Sequence, residues 1–336
     1  MARTASSGAG GRAGSPLTPY LFLAPYLLLF VVFVAIPAVL GLWISLHDWD
    51  YMLNSRPFVG LENYANLFDE ASVAYPDFWN GMKNTLIFTV ASVPLLVVLP
   101  LLLAVLLHQK FPGRTFFRAM FFAPYVLGVA VIGLMWRYLL DSNFGMVNDI
   151  LGTSIAWTTS QPWAWIALVG VTVWWTLGFN AIIYLAGLGD IPTDQYEAAS
   201  LDGAGWWGKF VHVTLPGLRP VLIFVMVTTV LASANMFGQS YLITQGGPTN
   251  STETAIMEIL DLGLSRFQMG AAAAESYILA FFLAIISAVN FWFLRDRDAA
   301  LARKQLKQQR RRKRGDGEDG LPTDVPATPG KMKVSR

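Results

Sequence analysis

The stretch Gly189–Pro216, G-D-I-P-T-D-Q-Y-E-A-A-S-L-D-G-A-G-W-W-G-K-F-V-H-V-T-L-P, separates two long apolar runs. A polar loop in that place lies at a membrane surface, yet it carries too many structural signals to be a plain connector. Pro192 with Thr193 or Asp194 predicts a helix start, and Asp194 followed three residues later by Glu197 reads as a capping-box variant. Ala198 and Ala199 favour helix, and Gly203 suits its C-terminal stop. A second short helical segment carries Trp206, Trp207, Phe210 and Val211 and closes at Leu215-Pro216. Two short helices with exposed aromatics around one carboxylate are predicted to form a docking surface.

Composition places this loop in a membrane protein. Of 336 residues, 54% are hydrophobic and 14% charged, with a mean hydropathy of +0.47, whereas a soluble domain has about 25% charged residues. There is no cysteine, which excludes disulfides and any cysteine-based metal site or nucleophile. The three histidines, His47, His108 and His212, are too scattered for a histidine-rich metal centre. A span needs about 20 mostly apolar residues. Six runs qualify: Tyr20–Leu46, Leu86–Leu107, Phe116–Leu140, Trp163–Leu188, Leu218–Ile243 and Ala271–Leu294. The third and fifth are the least clean, interrupted by Arg137 and by the N-M-F-G-Q-S segment. The first run is well beyond the about 7–15 residues of a signal-peptide core and reads as a retained span. The expected fold is all-α and polytopic, with six transmembrane helices. Residues 1–19 form a flexible cytoplasmic tail, 20–295 the transmembrane domain and 296–336 a basic, disordered cytoplasmic tail.

Lysine and arginine set the orientation. With the N-terminus inside, Arg3, Arg12, Lys110, Arg114, Arg118, Lys209, Arg219 and the whole basic tail are cytoplasmic, against Arg56, Lys83, Arg137 and Arg266 outside. This positive-inside asymmetry puts both termini and the 189–216 loop on the cytoplasmic side of the membrane. The R-R-R-K-R tail attracts anionic lipid headgroups; nothing else supports nucleic-acid binding.

Gly203–Lys209, G-A-G-W-W-G-K, satisfies part of a P-loop, but Phe210 stands where the Mg²⁺-binding Ser or Thr belongs and no strand precedes it. The chain is therefore expected to handle no ATP itself, and, since spans with so few charges hold no catalytic constellation, to be no enzyme and to bind no cofactor. Among polar residues inside spans, Asn180 and Asn290 read as helix–helix hydrogen bonders. Asn235 and Gln239, four apart near a broken segment and flanked by Phe237 and Tyr241, are candidates for a hydrated path, with helix–helix bonding as the alternative. Glu275, near the start of the sixth span, is either functional or simply solvated at the interface.

Glu197-Ala198-Ala199, Gly203 and Val213-Thr214-Leu215-Pro216 keep the spacing of a known pattern, E-A-A, three residues, G, nine residues, I-x-L-P, with Val for Ile. The loop resembles the EAA motif of permease subunits of bacterial binding-protein-dependent ABC importers. P-F-V-G-L-E-N-Y at 57–64, F-F-R-A-M-F-F-A-P at 116–124, L-A-G-L-G-D-I-P at 185–192, L-I-T-Q-G-G-P at 242–248 and G-A-A-A-A-E-S at 270–276 look like the carbohydrate-uptake branch, on its MalF-like and UgpA-like side. The likeness covers about residues 20 to 294.

The resemblance implies a heteromeric importer: a second, MalG-like permease, two ABC ATPase subunits that handle ATP and Mg²⁺, and an extracytoplasmic solute-binding lipoprotein. It makes the loop a coupling helix, with Glu197 as charged anchor, Gly203 as turn, and Trp206, Trp207 and Phe210 as apolar contacts, within a coupling set that also includes Ala198, Ala199, Asp202, Leu215 and Pro216. The implied substrate is an oligosaccharide or related polyol, with glycerol phosphate derivatives beside it. The competing class is a secondary transporter driven by an ion gradient, which predicts intramembrane acids or paired broken helices in two halves.

Overall fold

A computed structural model of the chain describes residues 18–289. The N-terminal tail up to residue 17, Asn290, the end of the sixth span and the basic tail lie outside the described residues. The chain divides into residues 1–283 and 284–336; of the second unit, residues 284–289 are described and are helical.

Apolar runs without water must satisfy every backbone group internally, which selects helices. Tyr20–Ser45 forms α1, whose central stretch Val31–Ala35 is π-helical. None of its most apolar window is buried within the chain, although the Tyr277 hydroxyl of the last span donates to the Ala38 carbonyl. Helix α2, Ala74–His108, begins twelve residues before the span expected at Leu86. Its 35 residues reach about 52 Å, well past the roughly 30 Å of the hydrocarbon core. The extension escapes a hydropathy reading because Asp77, Asn80, Lys83 and Asn84 dilute it, yet Phe78, Gly81, Thr85 and Phe88 form one buried face at helical spacing.

The third span is two helices, α3 (Arg114–Val126) and α4 (Val129–Leu139), bent by 95°. Arg137 is not the cause, since it lies in the last turn of α4. The break falls at Leu127 and Gly128, both extended, just after Pro124. Helix α5, Trp163–Gly189, is the central element, with half of its most apolar window buried. Small residues let neighbours come close: a Cβ on Gly178 would lie 2.1 Å from the Phe121 carbonyl oxygen of α3, and one on Gly187 would lie 2.6 Å from Val221.

The loop after α5 holds α6, Thr193–Leu201, and α7, Trp206–Gly217, π-helical over Phe210–Thr214. Helix α8, Arg219–Ala234, leaves α7 at a bend of 68°. It ends at Asn235, in the N-M-F-G-Q-S segment, and the chain resumes as a π-helical turn at Ser240–Thr244. Helix α9, Ala255–Leu260, lies in the following loop, and α10, Met269–Val289, is the last described span. Among the described residues four helices are long and apolar enough to cross a membrane, or up to six when each bent pair counts as one span.

Two buried clusters share α5. One joins Leu101 and Ala104 of α2 to Tyr184 and Leu188 of α5, Phe210 and Val213 of α7, and Val225 of α8. The other joins Phe88 of α2, Ile132 of α4, Leu168 and Val171 of α5, and Met236.

Candidate functional site

The loop helix α6 starts at Thr193, with Pro192 as its N-cap and no side-chain cap bond. The expected capping box therefore does not form: Asp194 sits inside the first turn, two positions past the N-cap. At the other end the Asp202 N–H donates to Ala198, and Gly203 turns with φ +78°. That left-handed value is where only glycine is free of a Cβ penalty. The Ala204 N–H then reaches back to the Ala199 carbonyl at 2.9 Å and closes the turn.

Helix α6 is tied to α7 by the Tyr196 and Thr214 hydroxyls, 3.0 Å apart. Ile191, Phe210, Val213 and Leu218 are buried beneath the loop. Glu197, Ala198, Asp202, Gly203 and Pro216 stay exposed, while Ala199 and Leu215 are half-buried. Phe210, expected with the tryptophans as an outer contact, faces the chain's own core at 9% exposure. It serves as their pedestal: Trp206 stacks on it with ring centroids 5.8 Å apart and planes 5° from parallel, and Trp207 approaches at 5.5 Å. Both tryptophans expose more than half their surface. Leu201, the last residue of α6, which no sequence signal marked, is 90% exposed.

The G-A-G-W-W-G-K run is a turn entering α7, with Lys209 in a short helical turn. Among the described residues no group of three or more His, Asp or Glu side chains could hold a metal ion.

Deeper in the chain, a cavity of about 300 Å³ opens between α2, α3, α5, α8 and the break after α8. Thr172, Thr176, Asn180, Thr228, Thr229, Ser233 and Gln239 give it polar atoms, and Tyr125, Trp175 and Phe179 give it aromatic faces. Gln239 lines this cavity; Asn235, Phe237 and Tyr241 do not. The break at 235–237 separates Asn235 from Gln239, so they share no helix face. Asn235 is exposed and bonds the Leu231 carbonyl at 2.8 Å, and Phe237 stacks on Tyr241 at 5.1 Å. Helix periodicity could not have ranked the threonines, because back-bonded hydroxyls look like ordinary helix residues.

The cavity wall also accounts for two polar side chains. Pro100 has no N–H to give the carbonyl four residues before it, which is Leu96. Asn180 Nδ2 of α5 donates to that carbonyl at 3.0 Å. At the bend between α3 and α4, the Leu127 carbonyl accepts Trp175 Nε1 at 3.1 Å. Non-helical backbone at membrane depth is tolerated where such partners exist.

Toward the opposite end from the loop, Glu275 is buried at 1% exposure, and neither of its oxygens has a hydrogen-bond partner among the described residues. Solvation at an interface is thus not its condition. Glu258 of α9, equally buried, lies 3.7 Å from Arg266, which also pairs with Asp261 at 2.8 Å and Asp77 at 3.3 Å.

The family described as binding-protein-dependent transport system inner membrane component matches residues 71–297. The probable starch degradation products transport system permease AmyD of Thermoanaerobacterium thermosulfurigenes is 31% identical over 287 residues, covering 84% of this chain and 95% of AmyD. The lactose transport system permease LacF of Rhizobium radiobacter is 33% identical over 289 residues, covering 83% of this chain and 94% of LacF. A chain of a bacterial ABC transporter involved in import of the acidic polysaccharide alginate shares the fold, with a TM-score of 0.72 at 23% identity, covering 83% of this chain and 95% of that one. Such proteins are transporter permeases, not enzymes. With two thirds of its length inside the family's match and its loop and broken spans in one multi-pass helical fold, the chain belongs to the binding-protein-dependent transport system inner membrane components.

Proposed function

We propose that this chain is one permease of an ATP-driven ABC importer for a carbohydrate, an oligosaccharide or related polyol. In this reading it pairs with a second, MalG-like permease, docks two ATPase subunits through α6 and α7, and receives solute from an extracytoplasmic binding lipoprotein. The loop and both termini are cytoplasmic. The observation that carries the reading is the shared framework of loop and cavity. Phe210 and Val213 of α7 pack with Tyr184 and Leu188 of α5 and Val225 of α8, and those same two helices supply most of the cavity's polar lining. A push on the exposed face of Glu197, Leu201, Trp206 and Trp207 therefore moves helices that shape the cavity.

Hydroxyl and amide groups beside aromatic rings suit a polyhydroxylated solute. Rings cover the apolar C–H face of a sugar, while Asn180 and Gln239 offer amide atoms to its hydroxyls. The names of AmyD and LacF, transporters of starch degradation products and lactose, point the same way. Uptake of labelled oligosaccharide into vesicles holding all partner subunits tests the proposal. Uptake is expected to need ATP and to stop with vanadate. Uptake that persists without ATP and collapses with an uncoupler returns the ion-gradient carrier. In the same assay Glu197→Ala is expected to cut transport at least about tenfold, roughly 1.4 kcal/mol of coupling, with membrane insertion intact; wild-type transport would remove Glu197 from the coupling role.

A further inference from the structure

A second cavity, of about 620 Å³, lies among the loop after α1, the start of α2, α9 and the start of α10. It falls within the about 300–1,000 Å³ of small-molecule sites. Among the described residues its wall carries six carboxylates, Asp48, Asp50, Glu62, Asp77, Glu258 and Glu275, against a single lining cation, Arg266. Arg266 is already committed to Asp77, Asp261 and Glu258, and Arg56 at the margin rests on the Trp49 ring, 3.9 Å from its centroid. Glu275 is the decisive member. It lines the cavity, is 1% exposed, and both its oxygens lack a partner among the described residues. A buried carboxylate without a hydrogen bond is costly unless something supplies one.

The walls are preformed. The Gly270 N–H donates to the Trp49 carbonyl at 3.2 Å and the Tyr51 N–H to the Phe267 carbonyl at 3.1 Å. Asn63 Nδ2 holds the Ser45 and His47 carbonyls at 2.9 and 3.0 Å. Little ordering remains to oppose binding. We propose that this cavity binds a free, linear organic polyamine. A point-like metal ion does not fit, because no three of the acids come close enough to share one. Ammonium groups spaced along a flexible chain instead reach carboxylates held on five separate segments. The inference is independent of the transported solute and of the coupling loop.

The test is calorimetric titration of spermidine into the full purified chain in a neutral detergent, with Mg²⁺ and Ca²⁺ titrated separately. One-to-one binding of spermidine in the micromolar to low millimolar range is expected, with neither metal competing. Glu275→Gln is expected to weaken it at least about tenfold. Should that variant fail to fold, the exposed pair Asp48→Asn and Glu62→Gln carries the test, with an expected loss of at least about threefold and an unchanged thermal midpoint without spermidine. No binding by the wild-type chain, wild-type affinity in the folded variants, or displacement of spermidine by either metal overturns the proposal. An empty titration with free amine also overturns it in favour of a basic side chain delivered by a docking protein.

Discussion

Asn180 shows how a single amide can be read correctly in kind and still be misjudged in purpose. Its sequence context predicts a helix–helix hydrogen bond, and that bond exists. What the context hides is the partner, a carbonyl on α2 left without its donor by Pro100. Asn180→Ala is expected to cost about 1 kcal/mol, between the membrane average of about 0.6 and the upper range for an unsatisfied buried group. In a Pro100→Ala background the new N–H serves the Leu96 carbonyl, so Asn180→Ala is expected to cost almost nothing further. A double-mutant cycle measured by denaturant unfolding in mixed micelles checks the coupling; additive effects would remove this role. Glu258 supplies a second expectation. Burial pushes its carboxyl up to about 7 from 4.5, with Arg266 pulling it down and Glu253, Asp77 and Asp261 raising it. The folded chain thus holds this proton more tightly than the unfolded chain. The stability it contributes is complete below about 4.5 and is lost as the pH rises through about 7. Thermal midpoints recorded across that window are expected to fall toward high pH, and Glu258→Gln is expected to flatten the trend by on the order of a few kcal/mol.

Elements divide by whether their cause is local. Gly203 was legible because a helix stop needs a left-handed residue, and the turn has φ +78° with nothing within 4 Å of an added Cβ. Its cost on substitution is therefore conformational and not steric. Gly203→Val is expected to destabilise the loop by about 1–2 kcal/mol, since a β-branched residue opposes φ > 0, while Gly203→Asn is expected to cost a few tenths. Limited proteolysis at 189–217 orders the three proteins, and equal cleavage of the Val and Asn variants would contradict it. The capping box failed for an equally local reason: the helix starts at Thr193, so Asp194 is already in its first turn. The broken spans are mixed. The N-M-F-G-Q-S interruption marks the true end of α8, whereas the break in the third span lies at Leu127–Gly128. There the deciding partner, Trp175, is 48 residues away. The cavity residues were mostly illegible for that same reason, being brought together by four helices and one break.

At the scale of the molecule, six apolar runs were enough to read a multi-pass helical protein. The acidic cavity was not readable, because its carboxylates span positions 48 to 275 and, Glu275 of the sixth span apart, each alone looks like a solvated loop residue. Orientation is the property that joins the two proposed sites, since the proposed topology puts the proposed coupling loop and the acidic cavity on opposite sides of the membrane. The absence of cysteine makes this directly measurable. Leu201, 90% exposed, and Tyr51, 65% exposed, sit in the two opposing loop regions, so Leu201→Cys and Tyr51→Cys give single-thiol reporters with little expected effect on packing. In intact spheroplasts a membrane-impermeant maleimide is expected to label the Tyr51→Cys chain and to leave the Leu201→Cys chain unlabelled until the membrane is opened. In inverted vesicles the order reverses. Adding the partner ATPase is then expected to protect only Leu201→Cys, because that position lies at the exposed end of α6, in the loop proposed to dock it. Labelling of Leu201→Cys from the outside would invert the topology and with it the assignment of the loop to an ATPase.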